Sequence, residues 1–535
     1  MKSERLCWLG LAALGAAVGL SVFWLPAPLP ADAPATLFSA TRAFEHVQAI
    51  AKAPHPAGSA ENGRVRDYLM VKMSELGLKP RAIAGTNRAI KLVNLYGELE
   101  GTEPASPPVL LVSHYDSTPF GPGAADAASG VGTVLETVRA LKARGPRRNT
   151  VGILLTDGEE LGMLGAQVFI RDQPDLMREV RFAINLEARG NHGPVLMFET
   201  APGNAGLIRL FARACPLPLA TSFSTDVYRR LPNDTDFTYL LRAGKSGFNF
   251  GFVGGLDHYH SPQDTPEELN QRTLQHYGSC VLPLAAALGE ADGLAIERLL
   301  APGDATFFPL GRGLLVHYPA WLARALALTT AGLFLLVVGV QFRRSLLRLR
   351  FVFLSLGISL LAVVLGIGIG VGGVFGLVRH FKPPGRLPFW MGIPNEMGFL
   401  IGLLLASGLL TFGLRAWLLR RASPGEGLAG ALSIWVILML AATVALPGAS
   451  YLFTWPALCG TFLLSLRGGE AAGSVPGSLF RTALAAVPAA LLLAPTFFML
   501  HQAITVGITP ILTLLTACAV CLMPLRLRAS SAVCA

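Results

Sequence analysis

Charged residues are scarce in this sequence. They make up 15% of the 535 residues, whereas hydrophobic residues make up 52%, and the mean hydropathy is +0.50. A composition this apolar excludes an ordinary soluble protein, because a soluble fold needs more polar surface to face water. The chain is long enough for roughly two to four domains, so its apolar residues can be concentrated in one of them.

Acidic residues are especially few outside the middle of the chain. Residues 26–300 hold 26 Lys and Arg and 29 Asp and Glu, whereas the remainder holds 18 and 5. The net charge of +10 therefore arises beside apolar segments and not in the polar part. This distribution indicates a membrane protein with basic loops and argues against a nucleic-acid partner.

Cysteine is also scarce, with seven residues in the whole chain. Within 26–300 there are Cys215 and Cys280, which could form a disulfide outside the cytosol, although the sequence leaves this pairing open. Cys518 and Cys521 form a C-x-x-C pair, but they lie in an apolar stretch without other ligands, so packing is the favoured interpretation. The cysteines therefore exclude a disulfide-built scaffold and decide little else.

Long apolar runs lie toward both ends of the sequence. Lys2 and Arg5 precede an apolar run over 7–23, which predicts an uncleaved N-terminal transmembrane anchor, with a cleaved signal peptide as the alternative. Seven further apolar stretches are long enough, or nearly so, to span about 30 Å of hydrocarbon. They lie near 320–341, 351–378, 398–418, 428–447, 450–466, 482–500 and 505–525.

Basic residues are distributed unequally between the two sides of these predicted spans. With the polar part outside, 13 basic residues fall on inside segments and three fall on outside links after residue 340. Because positive residues favour the cytoplasmic side, we expect eight spans, both termini in the cytoplasm and the polar part on the non-cytoplasmic side. The Ala-, Gly- and Arg-rich composition favours a bacterial inner membrane facing the periplasm. An endoplasmic-reticulum or vacuole membrane is the alternative.

The polar part alternates between strand-like and helix-like stretches. This alternation predicts an α/β fold with a mixed, largely parallel sheet flanked by helices. The predicted strands are 91–99, 109–112, 151–155, 182–186, 195–198 and 246–252. The expected organisation is an anchor (1–25), a linker (26–37), the α/β domain (38–300), a connector (301–319) and an all-α, seven-span transmembrane domain (320–535).

Histidine and carboxylate residues follow several of the predicted strands. His114 and Asp116 follow the strand at 109–112, and Glu159 and Glu160 follow the strand at 151–155. Strands of an open α/β sheet deliver such groups to one rim, at their carboxyl ends. Imidazoles and carboxylates hold catalytic metal ions, and a carboxylate can bridge two of them. The sequence therefore predicts a hydrolytic metal site, in which the Asp116 side chain accepts the second N–H of the His114 imidazole.

Five motifs that occur in order carry a resemblance over about residues 40–290. They are His114-x-Asp116, Gly-Ala-Ala-Asp126-Ala-Ala-Ser-Gly, Asp157-Gly-Glu159-Glu160-x-Gly, Asn185-Leu-Glu187 and Tyr259-His260-Ser-x-x-Asp264-Thr. Together they resemble the di-zinc aminopeptidase family, which includes glutamate carboxypeptidase-type enzymes and glutaminyl cyclases. The anchor and the multi-span tail resemble its membrane-anchored branch, which contains the endoplasmic-reticulum metallopeptidase and the vacuolar membrane protease.

The resemblance implies two Zn²⁺ ions that share the carboxylate of Asp126. The implied ligand sets are His114, Asp126 and Glu187 for one ion, and Asp126, Glu160 and His260 for the other. Glu159 would be the general base that deprotonates a metal-bound water. Many soluble members carry Asp where this chain has Glu187, and the additional methylene puts the position of that metal in doubt. The membrane branch also carries Glu there, which favours Glu187 as a ligand.

Some neighbouring residues stay open between two interpretations. His258 is the rival of His260, and the surrounding motif favours His260. Asp264 could simply begin the next helix. Asp234 and Asp236 either orient a ligand or substrate or serve in turns and caps. Arg189 and His192 lie near the rim by sequence, and neither is assigned a role.

We therefore expect a membrane-anchored zinc metallopeptidase that hydrolyses peptide bonds, with aminopeptidase or other exopeptidase action favoured. Its expected partners are peptide substrates and the lipid bilayer, and the oligomeric state stays open. A glutaminyl cyclase-like acyltransferase, which would use one zinc ion, is the nearest alternative. A non-catalytic receptor or transport-associated domain is the other, although such members lose ligands and here every ligand position is filled.

Overall fold

The computed structural model describes residues 2–103, 109–381, 395–466 and 475–522. The chain divides into two compact units. One unit is Val22–Pro319, and the other combines Met1–Ser21 with Ala320–Ala535. The first is an α/β unit, and the second is helical throughout the residues that are described.

Strands and helices are numbered along the chain. The strands are β1 (Arg81–Asn87), β2 (Ile90–Leu99), β3 (Val109–His114), β4 (Val151–Thr156), β5 (Phe182–Leu186), β6 (Leu196–Thr200), β7 (Ser246–Gly251), β8 (Ala305–Pro309) and β9 (Leu315–Pro319). The helices are α1 (Lys2–Leu20), α2 (Ala40–Ile50), α3 (Ala60–Glu75), α4 (Gly130–Ala143), α5 (Leu164–Asp172), α6 (Pro174–Glu179), α7 (Ala205–Ala214), α8 (Ser222–Tyr228), α9 (Asp236–Arg242), α10 (Gln271–Gly289), α11 (Gly293–Leu299), α12 (Ala320–Arg343), α13 (Leu349–Phe381), α14 (Glu396–Leu418), α15 (Pro424–Ala445), α16 (Tyr451–Ser465), α17 (Val475–Ile504) and α18 (Thr509–Cys521).

A seven-stranded sheet in the order β1-β2-β4-β3-β5-β7-β6 organises the α/β unit. The four strands β4, β3, β5 and β7 are parallel, whereas β1, β2 and β6 pair antiparallel toward the two edges. Alternate residues of β3 point to opposite faces, so Val109 and Leu111 join one apolar core while Leu110 and Val112 join the other. Helices cover both faces, and the predicted α/β class with a mixed, largely parallel sheet is confirmed.

Two strand features of this unit were not predicted from the sequence. The edge strand β1 carries exposed and half-buried residues only, so it has no apolar alternation that would reveal a strand. The segment 301–319, expected to be a connector, contains the antiparallel hairpin of β8 and β9. Phe307 of this hairpin is fully buried in the larger core, so the hairpin is part of the α/β unit.

Cys215, which follows α7, forms a disulfide with Cys280 of α10. Their Cα atoms are 4.7 Å apart, and both side chains are buried. The structure therefore pairs the two cysteines that the sequence left open.

The apolar helices of the helical unit fall into a longer and a shorter group. Five are long and apolar enough to cross a membrane, which supports a multi-pass membrane protein. They are Ala320–Arg343, Leu349–Leu377, Glu396–Leu418, Pro424–Ala445 and Val487–Ile504. Shorter apolar helices among the described residues are Leu9–Phe23, Tyr451–Ser465 and Thr509–Cys521. The total of eight spans stays a prediction. Some of the basic residues from which the orientation of the spans was predicted lie outside the described residues: Lys382, Arg386, Arg467, Arg526 and Arg528.

Glycine lets α1 pack closely against α17 in the helical unit. An ideal Cβ placed on Gly19 would lie 2.5 Å from the backbone oxygen of Leu491 and 2.9 Å from Cδ of Pro495. At Gly10, by contrast, such a Cβ would meet nothing within 4 Å. The contact near Gly19 therefore requires a residue without a side chain, as is common where membrane helices approach each other.

Candidate metal centre

Three neighbouring parallel strands end at the same edge of the sheet and bring polar side chains there. His114 is the last residue of β3, and Glu187 directly follows β5. Glu159 and Glu160 lie just beyond the end of β4. Because β3 lies between β4 and β5, these side chains converge, although more than 70 positions separate His114 from Glu187 in the sequence.

Asp126 lies in the turn between β3 and α4, and Asp264 holds this turn in place. The Asp264 carboxylate accepts the backbone N–H of Ala125 at 2.7 Å and that of Asp126 at 3.2 Å. Burial raises the pKa of Asp264 to about 7, and the charge of Asp126 adds to this effect. Asp264 therefore does not serve merely to begin a helix. It fixes the backbone of the central carboxylate from 138 residues further along the chain.

The two carboxylate oxygens of Asp126 face different imidazoles. Oδ1 lies 3.1 Å from Nε2 of His114, and Oδ2 lies 3.1 Å from Nε2 of His260. The carboxylate of Glu187 lies 3.6 Å from the same His114 nitrogen, and that of Glu160 lies 3.1 Å from the same His260 nitrogen. Two sets of side chains thus meet at Asp126. In each set, ligand atoms lie within 4.8 Å of one another: His114, Asp126 and Glu187 in one, and Asp126, Glu160 and His260 in the other.

Asp116 supports the site in two ways, one of which differs from the expectation. The Nδ1–H of His114 donates to the backbone oxygen of Asp116 at 3.0 Å, and the Asp116 carboxylate is further away at 3.6 Å. That carboxylate accepts the backbone N–H groups of Glu159 and Glu160, at 3.1 and 3.3 Å. Asp116 therefore orients the imidazole with its carbonyl and holds the two glutamates with its side chain.

Acidic groups dominate the electrostatics of the centre. Burial raises the pKa of Glu159 well above its usual range and raises the pKa of Glu160 to about 7, helped by the charge of Asp126. Burial by itself would lower the pKa of His260, but contacts with Asp126 and Glu160 raise it to about 10. Protons and positive charge are therefore favoured here because carboxylates are crowded in a poorly solvated space.

The crowded carboxylates fit the binding of two cations. Buried or half-buried carboxylates crowd around the imidazoles of His114 and His260: Asp116, Asp126, Glu159, Glu160, Glu187, Asp236 and Asp264. Glu160 Oε1 is buried and accepts no hydrogen bond from the described residues. Uncompensated negative charge in such a space is costly, and divalent cations would neutralise it. Imidazole and carboxylate are ligands that suit zinc, so the donor chemistry also fits.

Other residues that the sequence singled out lie around this centre. His258 faces Asp257 and Glu268, at 3.3 and 3.6 Å, and belongs to neither set of potential ligands. Asp236 is fully buried and accepts the hydroxyl of Thr156. Asp234 is 3.7 Å from Arg242, His192 bonds to Asn191, and neither belongs to a group of potential metal ligands.

Tyr259 belongs to one of the five motifs, but the sequence analysis assigned it no role. Its ring stacks on that of His260, with centroids 3.7 Å apart. The guanidinium carbon of Arg189 lies over the Tyr259 ring, 5.8 Å from its centroid. His260 has a left-handed backbone (φ 53°), which is costly for a residue with a side chain. The position of Tyr259 directly before His260 in the motif was the available signal.

Comparison with known proteins confirms the resemblance drawn from the motifs. Residues 94–285 match the family described as Peptidase family M28. Over 233 residues, the chain is 29% identical to endoplasmic reticulum metallopeptidase 1 of Mus musculus, a match covering 43% of this chain and 26% of the relative. It is 27% identical over 246 residues to the vacuolar membrane protease of Candida dubliniensis, with the same two coverages. The chain thus spans about a quarter of the length of these relatives.

A solved structure also resembles part of the chain. The zinc aminopeptidase BSAP from Bacillus subtilis is 15% identical and covers 48% of this chain and 96% of its own, with a TM-score of 0.39. The family match at residues 94–285 falls within the α/β unit, Val22–Pro319.

Proposed function

We propose that this protein is a membrane-anchored zinc metallopeptidase that hydrolyses peptide bonds, with aminopeptidase action favoured. The observation that carries the proposal is the shared carboxylate of Asp126, whose two oxygens face two separate sets of potential zinc ligands. A bridging carboxylate between two sets of imidazole and carboxylate groups is suited to a pair of catalytic cations. The match of residues 94–285 to a peptidase family supports the same reaction class.

Each side chain of the centre has a distinct proposed role. His114, Asp126 and Glu187 would hold one Zn²⁺, and Asp126, Glu160 and His260 would hold the other. Bound zinc supplies Lewis acidity toward the scissile carbonyl and lowers the pKa of water. Glu159 takes the proton of the attacking water and later passes it to the leaving amine. The Asp116 carboxylate fixes the backbone from which Glu159 projects, at 3.1 Å from its N–H, so Asp116 is a positioning residue.

Two opposing effects act on Glu159. Burial raises its pKa, and the nearby carboxylates Glu187 and Asp236 raise it further. The charge of two bound cations would act in the opposite direction and favour the ionised carboxylate that a general base needs.

The remaining features of the proposal concern location and organisation. We propose that residues 38–300 form the peptidase domain on the non-cytoplasmic side, held by an anchor at 1–25 and a span domain at 320–535. The Cys215–Cys280 disulfide supports an oxidising compartment. Peptides outside the cytoplasm would then be the substrates.

The decisive experiment uses the full chain purified in detergent. We expect two zinc ions per chain and hydrolysis of a peptide library that stops when a chelator is added. Glu159→Gln should lower kcat by roughly 10²–10⁴-fold and leave both zinc ions bound, because the base is removed and the five proposed ligands stay in place. Glu179→Gln, a matched change of an exposed glutamate on α6, should alter neither quantity.

The same measurements distinguish the alternatives. One zinc ion per chain together with cyclisation of N-terminal glutamine would replace the peptidase with a glutaminyl cyclase-like acyltransferase. A folded chain that neither binds zinc nor hydrolyses peptides would support a receptor or transport-associated role. Hydrolysis that survives Glu159→Gln would refute the assignment of the base.

A further inference from the structure

Three polar side chains lie side by side in an otherwise apolar part of the sheet. Asn185 of β5 is paired with Asn249 of β7, and Asn249 is paired in turn with Glu199 of β6. Both asparagines are fully buried, and Glu199 is 5% exposed. Buried polar groups destabilise a fold unless they are hydrogen-bonded, so this polar row requires a physical explanation.

The polar row of Asn185, Asn249 and Glu199 forms a continuous hydrogen-bond chain that begins at Glu187. The Nδ2 group of Asn185 donates to Oε1 of Glu187 at 3.1 Å and to Oδ1 of Asn249 at 3.0 Å. The Nδ2 group of Asn249 donates to Oε2 of Glu199 at 3.0 Å and to the hydroxyl of Thr235 at 2.9 Å. Glu199 thereby fixes the orientation of the Asn249 amide, and the Asn249 amide fixes that of Asn185.

Glu187 needs such support because its side chain is long. Its backbone is already held, since its N–H donates to the oxygen of Phe250 at 2.9 Å. The side chain, however, has one more rotatable bond than an aspartate in the same place and can point in more directions. Asn185 restrains Oε1, while Oε2 remains 3.6 Å from the His114 imidazole. The polar row thus determines which oxygen faces the space between His114 and Asp126.

We propose that Asn185, Asn249 and Glu199 are positioning residues that orient the Glu187 carboxylate toward its cation. The inference rests on the proposed function, because it concerns one of the two proposed zinc ions. The polar row serves the ion held by His114, Asp126 and Glu187. The hydrogen bonds of the polar row do not include Glu160 or His260, so the other ion depends on it much less.

The test measures zinc affinity on the full chain in detergent, with free zinc set by a competing chelator. Asn249→Asp places a second carboxylate beside Glu199 and breaks the polar row by repulsion. We expect one of the two zinc ions to bind roughly 10–100-fold more weakly, the usual effect of losing a group that orients a ligand, and the other to bind as before. Adding Glu199→Gln should restore the affinity, because the new amide can donate to the new carboxylate. Glu199→Ala removes the far end of the polar row and gives an independent measurement in the same direction.

Asn149→Leu is the matched control for the loss of a buried amide. Asn149 donates to the backbone oxygens of Leu288 and Ala291, at 2.7 and 2.8 Å, and takes no part in the polar row. This change should lower thermal stability and leave both zinc affinities unchanged. Unchanged zinc affinity in both Asn249→Asp and Glu199→Ala, equal weakening of both ions, or the same weakening in Asn149→Leu would overturn the inference. A wild-type chain that binds no pair of zinc ions would instead overturn the proposed function.

Discussion

The disulfide between Cys215 and Cys280 should stabilise the α/β unit, and whether it forms in the cell tests the proposed location of that unit. It connects the end of α7 to the middle of α10, and 65 positions separate the two cysteines. Closing a loop of that length removes unfolded-state entropy equivalent to about 4 kcal/mol of unfolding free energy. For a unit of this size, we expect reduction to lower the melting temperature by roughly 6–10 °C.

The assay combines thiol counting with thermal unfolding of the full chain. Alkylation in denaturant without reductant should modify five of the seven cysteines, and prior reduction should expose all seven. Replacing both Cys215 and Cys280 by alanine should lower the melting temperature as reduction does and remove any further effect of reductant. Cys459→Ser, at a free cysteine of α16, should have neither effect.

One outcome would refute this reasoning directly. If all seven cysteines react before reduction in chains taken from intact cells, the disulfide does not form where the protein resides. The proposed non-cytoplasmic location of the peptidase domain would then lose its support from the cysteines.

Three other predictions concern separate parts of the chain. Asp264→Asn should weaken the binding of both zinc ions, because it removes charged hydrogen bonds of about 1.5–3 kcal/mol each that hold the turn of Asp126. A zinc titration in which both ions bind as tightly as before would contradict this. Burial lowers the pKa of His276 to about 4, so its neutral form stabilises the folded state above pH 6.5, and on the order of 3 kcal/mol is lost as the pH falls toward 4. His276→Gln should flatten the dependence of melting temperature on pH in that interval, and an unchanged slope would count against it. Gly19→Leu should destabilise the helical unit by about 1–3 kcal/mol through collision with Leu491, whereas Gly10→Leu should have little effect in the same thermal assay.

Much of the fold could be predicted because local patterns carry it. The runs 109–112 and 151–155, which became β3 and β4, are apolar, as expected of strands covered on both faces, and polar residues follow them. The run that became β5 is apolar except for Asn185. The strand β1 escaped prediction because it lies at an edge and buries little. Its pairing with β2 stabilises it, and that contact leaves no trace in its own composition.

The residues of the centre were identifiable from the sequence, but their contacts were not. Motifs named His114, Asp126 and His260 as residues of one site. Only the folded chain brings the two oxygens of Asp126 to different imidazoles, 12 and 134 positions away in sequence. Likewise, Asp116 was expected to accept a hydrogen bond from an imidazole, whereas its carboxylate accepts the backbone N–H groups beyond β4.

The sequence by itself determined the α/β class, the apolar character of the membrane segments and the chemical types gathered at the strand ends. These properties depend on periodicity and composition, which are local. The tertiary structure alone decided which side chains support the proposed ligands, such as Asp264 beneath Asp126 and the polar row behind Glu187. Those contacts depend on the order of strands in the sheet and on loop paths, so residues distant along the chain meet only after folding.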